Sequence, residues 1–96
     1  MTVIDNTLEH RFEETVEGGL AYLAYELDGE RLVLSHTVVP EVSRDRGIGG
    51  HLVEAAVEAA RSRDLSVVPQ CSFARAWLHG HPEIAGRVKI DPPATI

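Results

Sequence analysis

Alternating apolar and polar residues predict three strands in the first forty positions, at residues 10–16, 20–27 and 30–39. Glu17-Gly18-Gly19 separates the first two strands, and Asp28-Gly29 is a hairpin signal in which glycine supplies the positive φ of a type I′ turn. The third strand is largely apolar on both faces, which is typical of a central strand covered on two sides. Strict alternation divides this strand between one face with Val33, Ser35, Thr37 and Val39 and another with Leu32, Leu34, His36 and Val38.

Beyond Pro40 the apolar residues recur at helical spacing. Residues 47–63 carry an apolar stripe that includes Ile48, Leu52 and Ala56, which predicts an amphipathic helix packed on the sheet. Residues 65–69 form a short apolar strand. Because the helix connects this strand to the preceding one, the two strands should be parallel and the crossover right-handed.

A second helix is predicted at residues 71–79, and a short turn at residues 84–85. The inward side chains of this second helix are expected to be Phe73 and Trp77, with Ala74 and Leu78 as further candidates. Residues 87–90 are candidates for a reduced final strand, and residues 91–96 are expected to form an unstructured tail. The fold class predicted is therefore α/β (α+β), an antiparallel β-meander followed by a parallel β-α-β unit and a second C-terminal helix.

Length and composition limit the possible functions. Ninety-six residues suit one domain over residues 1–96, with its core at about residues 10–88. The net charge of −6 argues against a nucleic-acid or anionic-membrane partner, because both depend on basic surface. No apolar run approaches the length of a membrane span, and the chain does not open with a signal-peptide pattern, so we expect a cytoplasmic protein. The lone cysteine excludes an internal disulfide.

The segment from Val39 to Val53 has the composition of an anion-binding loop. Glycines at 47, 49 and 50 follow two arginines and open the predicted helix. They allow close backbone approach, and the unpaired N–H groups of a helix N-terminus attract phosphate. A helix that merely starts with glycines is the alternative. His51-Leu52 excludes both a Walker loop, which needs Lys-Ser or Lys-Thr, and the dinucleotide fingerprint, which needs a third glycine.

Cys71 lies where a strand ends and a helix begins, a position that makes a thiol more nucleophilic. A free cysteine is more often a buried small hydrophobic residue, so both interpretations stand. His36 and Glu41 are candidates for a general base, although such a histidine more often packs on an apolar face. His79 and His81 together with Cys71 make a weak case for zinc, because the spacing supplies too few ligands, and no metal site is predicted.

Arg44-Asp45-Arg46-Gly47-Ile48-Gly49 resembles the Arg/Gln-x-x-Gly-x-Gly/Ala signature of the GNAT superfamily of acyl-CoA-dependent N-acetyltransferases. A strand, a Val-x-Pro-Glu segment and an alanine-rich helix flank it, as they do in that family. The resemblance implies that acetyl-CoA places its pyrophosphate on the amides of residues 44 to 50, including Gly50. It also implies that a backbone N–H near Val38 or Val39 holds the oxyanion.

The segment Val67-Val68-Pro69-Gln70-Cys71-Ser72-Phe73 and the later His81-Pro82-Glu83 resemble a small, truncated branch of the superfamily. In that branch the cysteine is a proposed acyl acceptor. The helices that usually lie between the first two strands are absent, and these parts normally shape the acceptor pocket. The resemblance therefore implies an acetyl-CoA-dependent N-acetyltransferase acting on an unidentified amine, either through acetyl-Cys71 or by direct attack of the amine. A non-catalytic acyl-CoA-binding or regulatory module and a small interaction protein are the alternatives.

Overall fold

A five-stranded sheet in the order β1-β2-β3-β4-β5 organises the computed structural model, which describes residues 2–92. The first four strands are antiparallel, and β5 is parallel to β4. The strands are β1 (Ile4–Asn6), β2 (Arg11–Val16), β3 (Gly19–Asp28), β4 (Arg31–Val38) and β5 (Ser66–Pro69). The meander and the parallel β-α-β unit predicted from the hydrophobic pattern are confirmed. No element was predicted at β1, which occupies the edge of the sheet.

Three helices follow the meander, and the cluster of buried side chains lies between them and one face of the sheet. They are α1 (Ile48–Ser62), α2 (Ser72–Gly80) and α3 (Pro82–Ala85). Leu52, Val53 and Val57 of α1 pack against Leu23 and Leu34 of the sheet, and none of the five exposes measurable surface. The apolar stripe of α1 therefore predicted its buried face correctly.

A β-bulge in β4 changes which residues share a face. Tyr25 pairs with Leu34 and Ala24 with His36, so Ser35 is one extra residue on β4, and its hydroxyl donates to the carbonyl of Ala24 (3.2 Å). A bulge shifts every later side chain to the opposite face. Strict alternation placed His36 on the same face of β4 as Leu34. This prediction was wrong, because the two side chains lie on opposite faces.

The β3–β4 hairpin also differs from its prediction. Asp28 and Arg31 are the last paired residues, so the loop is Gly29-Glu30, and only Gly29 has a positive φ, of 61°. A type I′ turn needs positive φ at both central residues, whereas a positive φ at the first position alone is the pattern of type II′. The hairpin was predicted correctly, but its turn type was not.

The chain after α3 returns along the outer edge of β5. Val67 forms a single parallel bridge with Ile90, and its carbonyl accepts the N–H of Asp91 (2.8 Å). The Asp91 carboxylate accepts a hydrogen bond from the hydroxyl of Ser66 (2.8 Å). The expected unstructured tail was therefore wrong at Asp91, while residues 93–96 of that prediction lie outside the described residues.

Candidate functional site

The parallel pair of β4 and β5 separates near its C-terminal end, and a cleft begins there. Leu34 and Pro69 are the last paired residues, and the carbonyl of Leu34 then accepts the N–H of Cys71 (2.9 Å). Beyond this point β4 continues alone to Val38, while the chain after β5 turns into α2. A cavity of about 480 Å³ lies beside this split. Its lining comes from the end of β4, the following loop, the first turn of α1, and α2.

The N-terminus of α1 presents unpaired N–H groups at this cavity. Gly47 caps the helix in the left-handed conformation (φ 77°), and no side chain bonds to the first turn. His51 is the first residue of the helix whose N–H bonds back to a carbonyl, that of Gly47 (3.1 Å). The N–H groups of Ile48, Gly49 and Gly50 therefore have no partner within the helix, and together with the helix dipole they can bind an anion.

The loop before α1 is held in place from two sides. The buried hydroxyl of Ser43 donates to the carbonyl of Glu17 (2.6 Å), and Nε of Arg44 donates to the carbonyl of Val39 (3.2 Å). Asp45 has a φ of 65°, a left-handed conformation that aspartate tolerates better than most residues. The backbone that approaches the α1 N-terminus is therefore fixed by the protein itself.

Cys71 lies at the edge of the cavity and caps α2. Its sulfur accepts the N–H of Ala74 (3.4 Å) and lies 3.3 Å from the hydroxyl oxygen of Thr37. Thr37 lines the cavity, whereas Cys71 is half-buried just behind it. The hydroxyl of Thr37 and the N–H of Ala74 are therefore the two polar groups in contact with the sulfur.

Two aromatic side chains of α2 close the other wall. Phe73 and Trp77 line the cavity, Phe73 is 43% exposed, and Trp77 is half-buried. The expectation that Phe73 points into the core was wrong, whereas Trp77 packs against the core as well as lining the cavity, and the further candidates Ala74 and Leu78 are buried. An added Cβ on Gly49 would lie 2.5 Å from the ring of Phe73, and one on Gly50 would meet the indole of Trp77. These aromatic rings thus pack directly on the backbone of the α1 first turn.

Most residues that the sequence proposed for cofactor binding come together around this cavity. Those that line it are Val38, Val39, Arg44, Asp45, Gly47, Ile48, Gly49 and Gly50. Arg46 does not line it and forms an exposed ion pair with Glu17 (3.7 Å). Thr37, Ser43, Phe73 and Trp77 line it too, although the sequence had not proposed them for the site.

The two candidate bases lie outside the cavity. His36 is exposed rather than packed on an apolar face, because the Ser35 bulge turns it away from the core, and Glu41 is exposed in a 3-10 turn. Neither lines the cavity. Among residues 2–92, no three His, Cys, Asp or Glu side chains are grouped to bind a metal ion. No helix in this part of the chain combines the length and apolar character that crossing a membrane requires.

A meander followed by a parallel β-α-β unit, with a cleft where the parallel strands separate, defines the fold of a GNAT acetyltransferase. Residues 11–87 match the family model described as GCN5-related N-acetyl-transferase, and the chain belongs to this family. A GCN5-like protein from Staphylococcus aureus, whose solution structure was determined by NMR, is similar with a TM-score of 0.71 and 25% identity. That similarity covers 97% of this chain and 90% of the other.

Relatives of known sequence include Protein NATD1 from Gallus gallus and from Mus musculus. Each is 38% identical to this chain over 63 residues. Protein NATD1 from Homo sapiens is similar to the same degree. The matched segment is 65% of this chain but only 56–57% of these relatives, so the chain spans little more than half of their length.

Proposed function

We propose that the protein is an acetyl-CoA-dependent N-acetyltransferase that transfers an acetyl group to an amine. The observation that carries this proposal is the cleft between β4 and β5, where one cavity is lined both by the first turn of α1, with its unpaired amides, and by apolar side chains of β4 and α2. The sulfur of Cys71 lies 3.3 Å from the hydroxyl oxygen of Thr37, which lines the same cavity. The family membership supports the class of reaction. The single free cysteine suits a reducing compartment, so we place the reaction in the cytoplasm.

The two parts of the cleft suit the two chemically different parts of acetyl-CoA. The N–H groups of Ile48, Gly49 and Gly50, at the positive end of the α1 dipole, would hold the pyrophosphate. The apolar side chains of Val38, Val39 and Phe73 would line the path of the pantetheine. Arg44 would add an exposed positive charge, whose contribution falls as salt screens it.

Cys71 is the proposed acyl acceptor. The Cys71 thiol loses its proton as the sulfur attacks the thioester carbonyl and forms a new sulfur–carbon bond. The bond between the acetyl carbon and the CoA sulfur then breaks, and CoA leaves as a thiol after taking up one proton. An amine then attacks acetyl-Cys71, loses a proton, and restores the Cys71 thiol. A backbone N–H at Val38 or Val39 would stabilise the oxyanion in both steps. In the alternative route the amine attacks acetyl-CoA directly, and Cys71 stays a structural residue.

Intact-mass measurement tests the covalent route, because the chain has only one cysteine. Protein mixed with acetyl-CoA should gain one acetyl group that hydroxylamine removes, and Cys71→Ser should gain none. With a panel of primary amines, Cys71→Ser should release CoA thiol at least about a hundredfold more slowly while binding CoA normally. The matched control is Ser72→Ala, which changes the neighbouring exposed hydroxyl and should keep the wild-type rate.

Two other results would change the proposal in different ways. Transfer by Cys71→Ser at the wild-type rate would show direct attack by the amine and contradict the acetyl-cysteine. Binding of CoA without transfer to any amine, in both proteins, would favour a non-catalytic acyl-CoA-binding module.

A further inference from the structure

Trp77 and His81 form a stacked pair at the C-terminal end of α2. Their ring centroids are 3.9 Å apart and the planes are inclined by 12°. Nδ1 of His81 lies 2.7 Å from the carbonyl oxygen of Trp77. Because a carbonyl oxygen can only accept, Nδ1 must carry the hydrogen, and this bond fixes the orientation of the imidazole. His81 therefore covers one face of the indole and holds it in place.

The rest of the indole faces the cavity and the first turn of α1. Trp77 lines the cavity, whereas His81 does not. The Nε1 edge of the indole is directed at Gly50, where an added Cβ would collide with it. Trp77 also packs against the core cluster, yet it is only half-buried and lines the cavity, so part of the indole is open to a ligand there.

The position of Trp77 along α2 separates it from the reacting end of the cleft. Cys71 and Thr37 lie where β4 and β5 separate, and Phe73 packs on Gly49. Trp77 follows Cys71 by six residues, a distance of about 9 Å along a helix. An acyl-CoA with its thioester at Cys71 and its pyrophosphate on the α1 amides would thus pass Phe73 before it reaches Trp77.

We infer that the stacked pair of Trp77 and His81 is a platform for the adenine base of acyl-CoA. The inference rests on the proposed function, since it assigns the nucleotide part of the same ligand. A flat apolar surface held rigidly beside an anion-binding helix end is what a nucleotide base with attached phosphates requires, because every base has a π-face that can stack on an aromatic ring. Trp77 contacts the base, and His81 is a positioning residue for Trp77.

Ligand fragments separate this platform from the rest of the site. Trp77 is the only tryptophan in the chain, so its fluorescence reports on this one position. CoA and adenosine 3′,5′-bisphosphate should both quench it at saturation, whereas 4′-phosphopantetheine, which lacks the adenosine, should bind without quenching. Trp77→Leu should weaken CoA binding at least about fivefold in calorimetry, the lower end for loss of one stacked base, and leave 4′-phosphopantetheine binding unchanged.

Further variants distinguish stacking from packing. Trp77→Phe keeps an aromatic face and should recover most of the affinity for CoA, and Phe73→Leu should weaken CoA and 4′-phosphopantetheine equally. Equal losses for both ligands in folded Trp77→Leu would make Trp77 a packing residue and overturn the platform. Wild-type affinity for CoA in Trp77→Leu would overturn it as well. If the wild-type protein binds none of the three ligands, the proposed function itself fails.

Discussion

Gly47, Gly49 and Gly50 stand close together in the sequence, but the first is required for a different physical reason from the other two. Gly47 adopts a left-handed φ of 77° with open space around it. Gly49 and Gly50 have ordinary helical backbones, and their missing side chains make room for Phe73 and Trp77. The sequence identified all three as site residues by assuming close approach of a ligand. The contact with α2 could not be predicted, because it depends on residues more than twenty positions away.

The tight contact between Gly50 and Trp77 predicts a loss of stability on substitution. Gly50→Ala should lower the free energy of unfolding by about 1–3 kcal/mol, because the indole is held by His81 and cannot move aside freely. Gly49→Ala should cost less, since Phe73 is 43% exposed and can rotate away. Gly80→Ala is the control, because a Cβ there meets no atom. Urea unfolding measures all three, and equal stability of Gly50→Ala and Gly80→Ala would contradict the packing argument.

The hydroxyl of Thr37 is predicted to support the reactivity of Cys71. Thr37→Val preserves the side-chain shape but removes the hydroxyl whose oxygen lies 3.3 Å from the sulfur. Alkylation of Cys71 by iodoacetamide at neutral pH should slow by about fivefold, the equivalent of one ordinary hydrogen bond. Ser35→Ala removes a hydroxyl that bonds to Ala24 instead, and it should leave the rate unchanged. An unchanged alkylation rate in Thr37→Val would show that the Thr37 hydroxyl does not support the reactivity of Cys71.

At the level of elements, the hydrophobic pattern predicted which segments are strands and helices but not how β4 is oriented beyond its middle. Period-two alternation is a local signal, and it identified Leu32 and Leu34 as neighbours on one face. The bulge at Ser35 arises from its pairing with β3, so strict alternation failed for the residues that follow. As a result Thr37, and not His36, is directed towards Cys71.

Phe73 and Trp77 illustrate a second limit of the periodic pattern. Helical spacing correctly gave α2 one apolar side, but core-facing and cavity-facing residues share that side. The separation of β4 from β5 leaves space in front of Phe73 and beside Trp77, which also packs against the core, while Ala74 and Leu78 are buried. An apolar pattern predicts that a side chain contacts another apolar surface, but it does not indicate whether that surface belongs to the protein or to a ligand.

A partly buried hydrogen bond connects the edge strand β1 to the centre of the sheet. The hydroxyl of Tyr25, which is 4% exposed, donates to Asp5 (2.7 Å), and Asp5 also pairs with Arg63 at the end of α1 (3.1 Å). Tyr25→Phe should lower the free energy of unfolding by about 1.5–3 kcal/mol, as expected for a hydrogen bond to a charged group. Tyr22→Phe is the control, because its hydroxyl makes no such bond within the described residues, and it should change stability by less than about 0.5 kcal/mol.

The same contact predicts an alkaline limit to stability. Burial, followed by the hydrogen bond to Asp5, raises the pKa of Tyr25 from 10.0 to about 12. The folded protein therefore holds this proton more tightly than the unfolded chain does. Its contribution to stability is complete below about pH 10 and is lost as the pH rises towards about 12. Absorbance titration of native Tyr22→Phe, which retains Tyr25 as its one tyrosine, should show ionisation near pH 12, and a midpoint near pH 10 would contradict the assignment.

At the scale of the whole molecule, the site combines segments that are distant in the sequence. The signature around Arg44 and Gly47 was recognisable because its residues are contiguous, and Cys71 was recognisable because it follows a short strand. That Cys71 meets Thr37 depends on the parallel pairing of β4 with β5 across the intervening helix. Neither the Arg44–Gly47 signature nor Cys71 predicts which amine accepts the acetyl group. Recognition of an amine depends on a surface that has no local signature in this chain.

Titration of the isotopically labelled protein with CoA, followed by backbone amide chemical shifts, tests the central claim that acyl-CoA binds in the cleft between β4 and β5. The claim predicts saturable shifts at residues 37–50 and 71–77, largest at Ile48, Gly49 and Gly50, with the hairpin at Gly29 unaffected. An absence of saturable shifts, or shifts that cluster away from the α1 N-terminus, would contradict the claim.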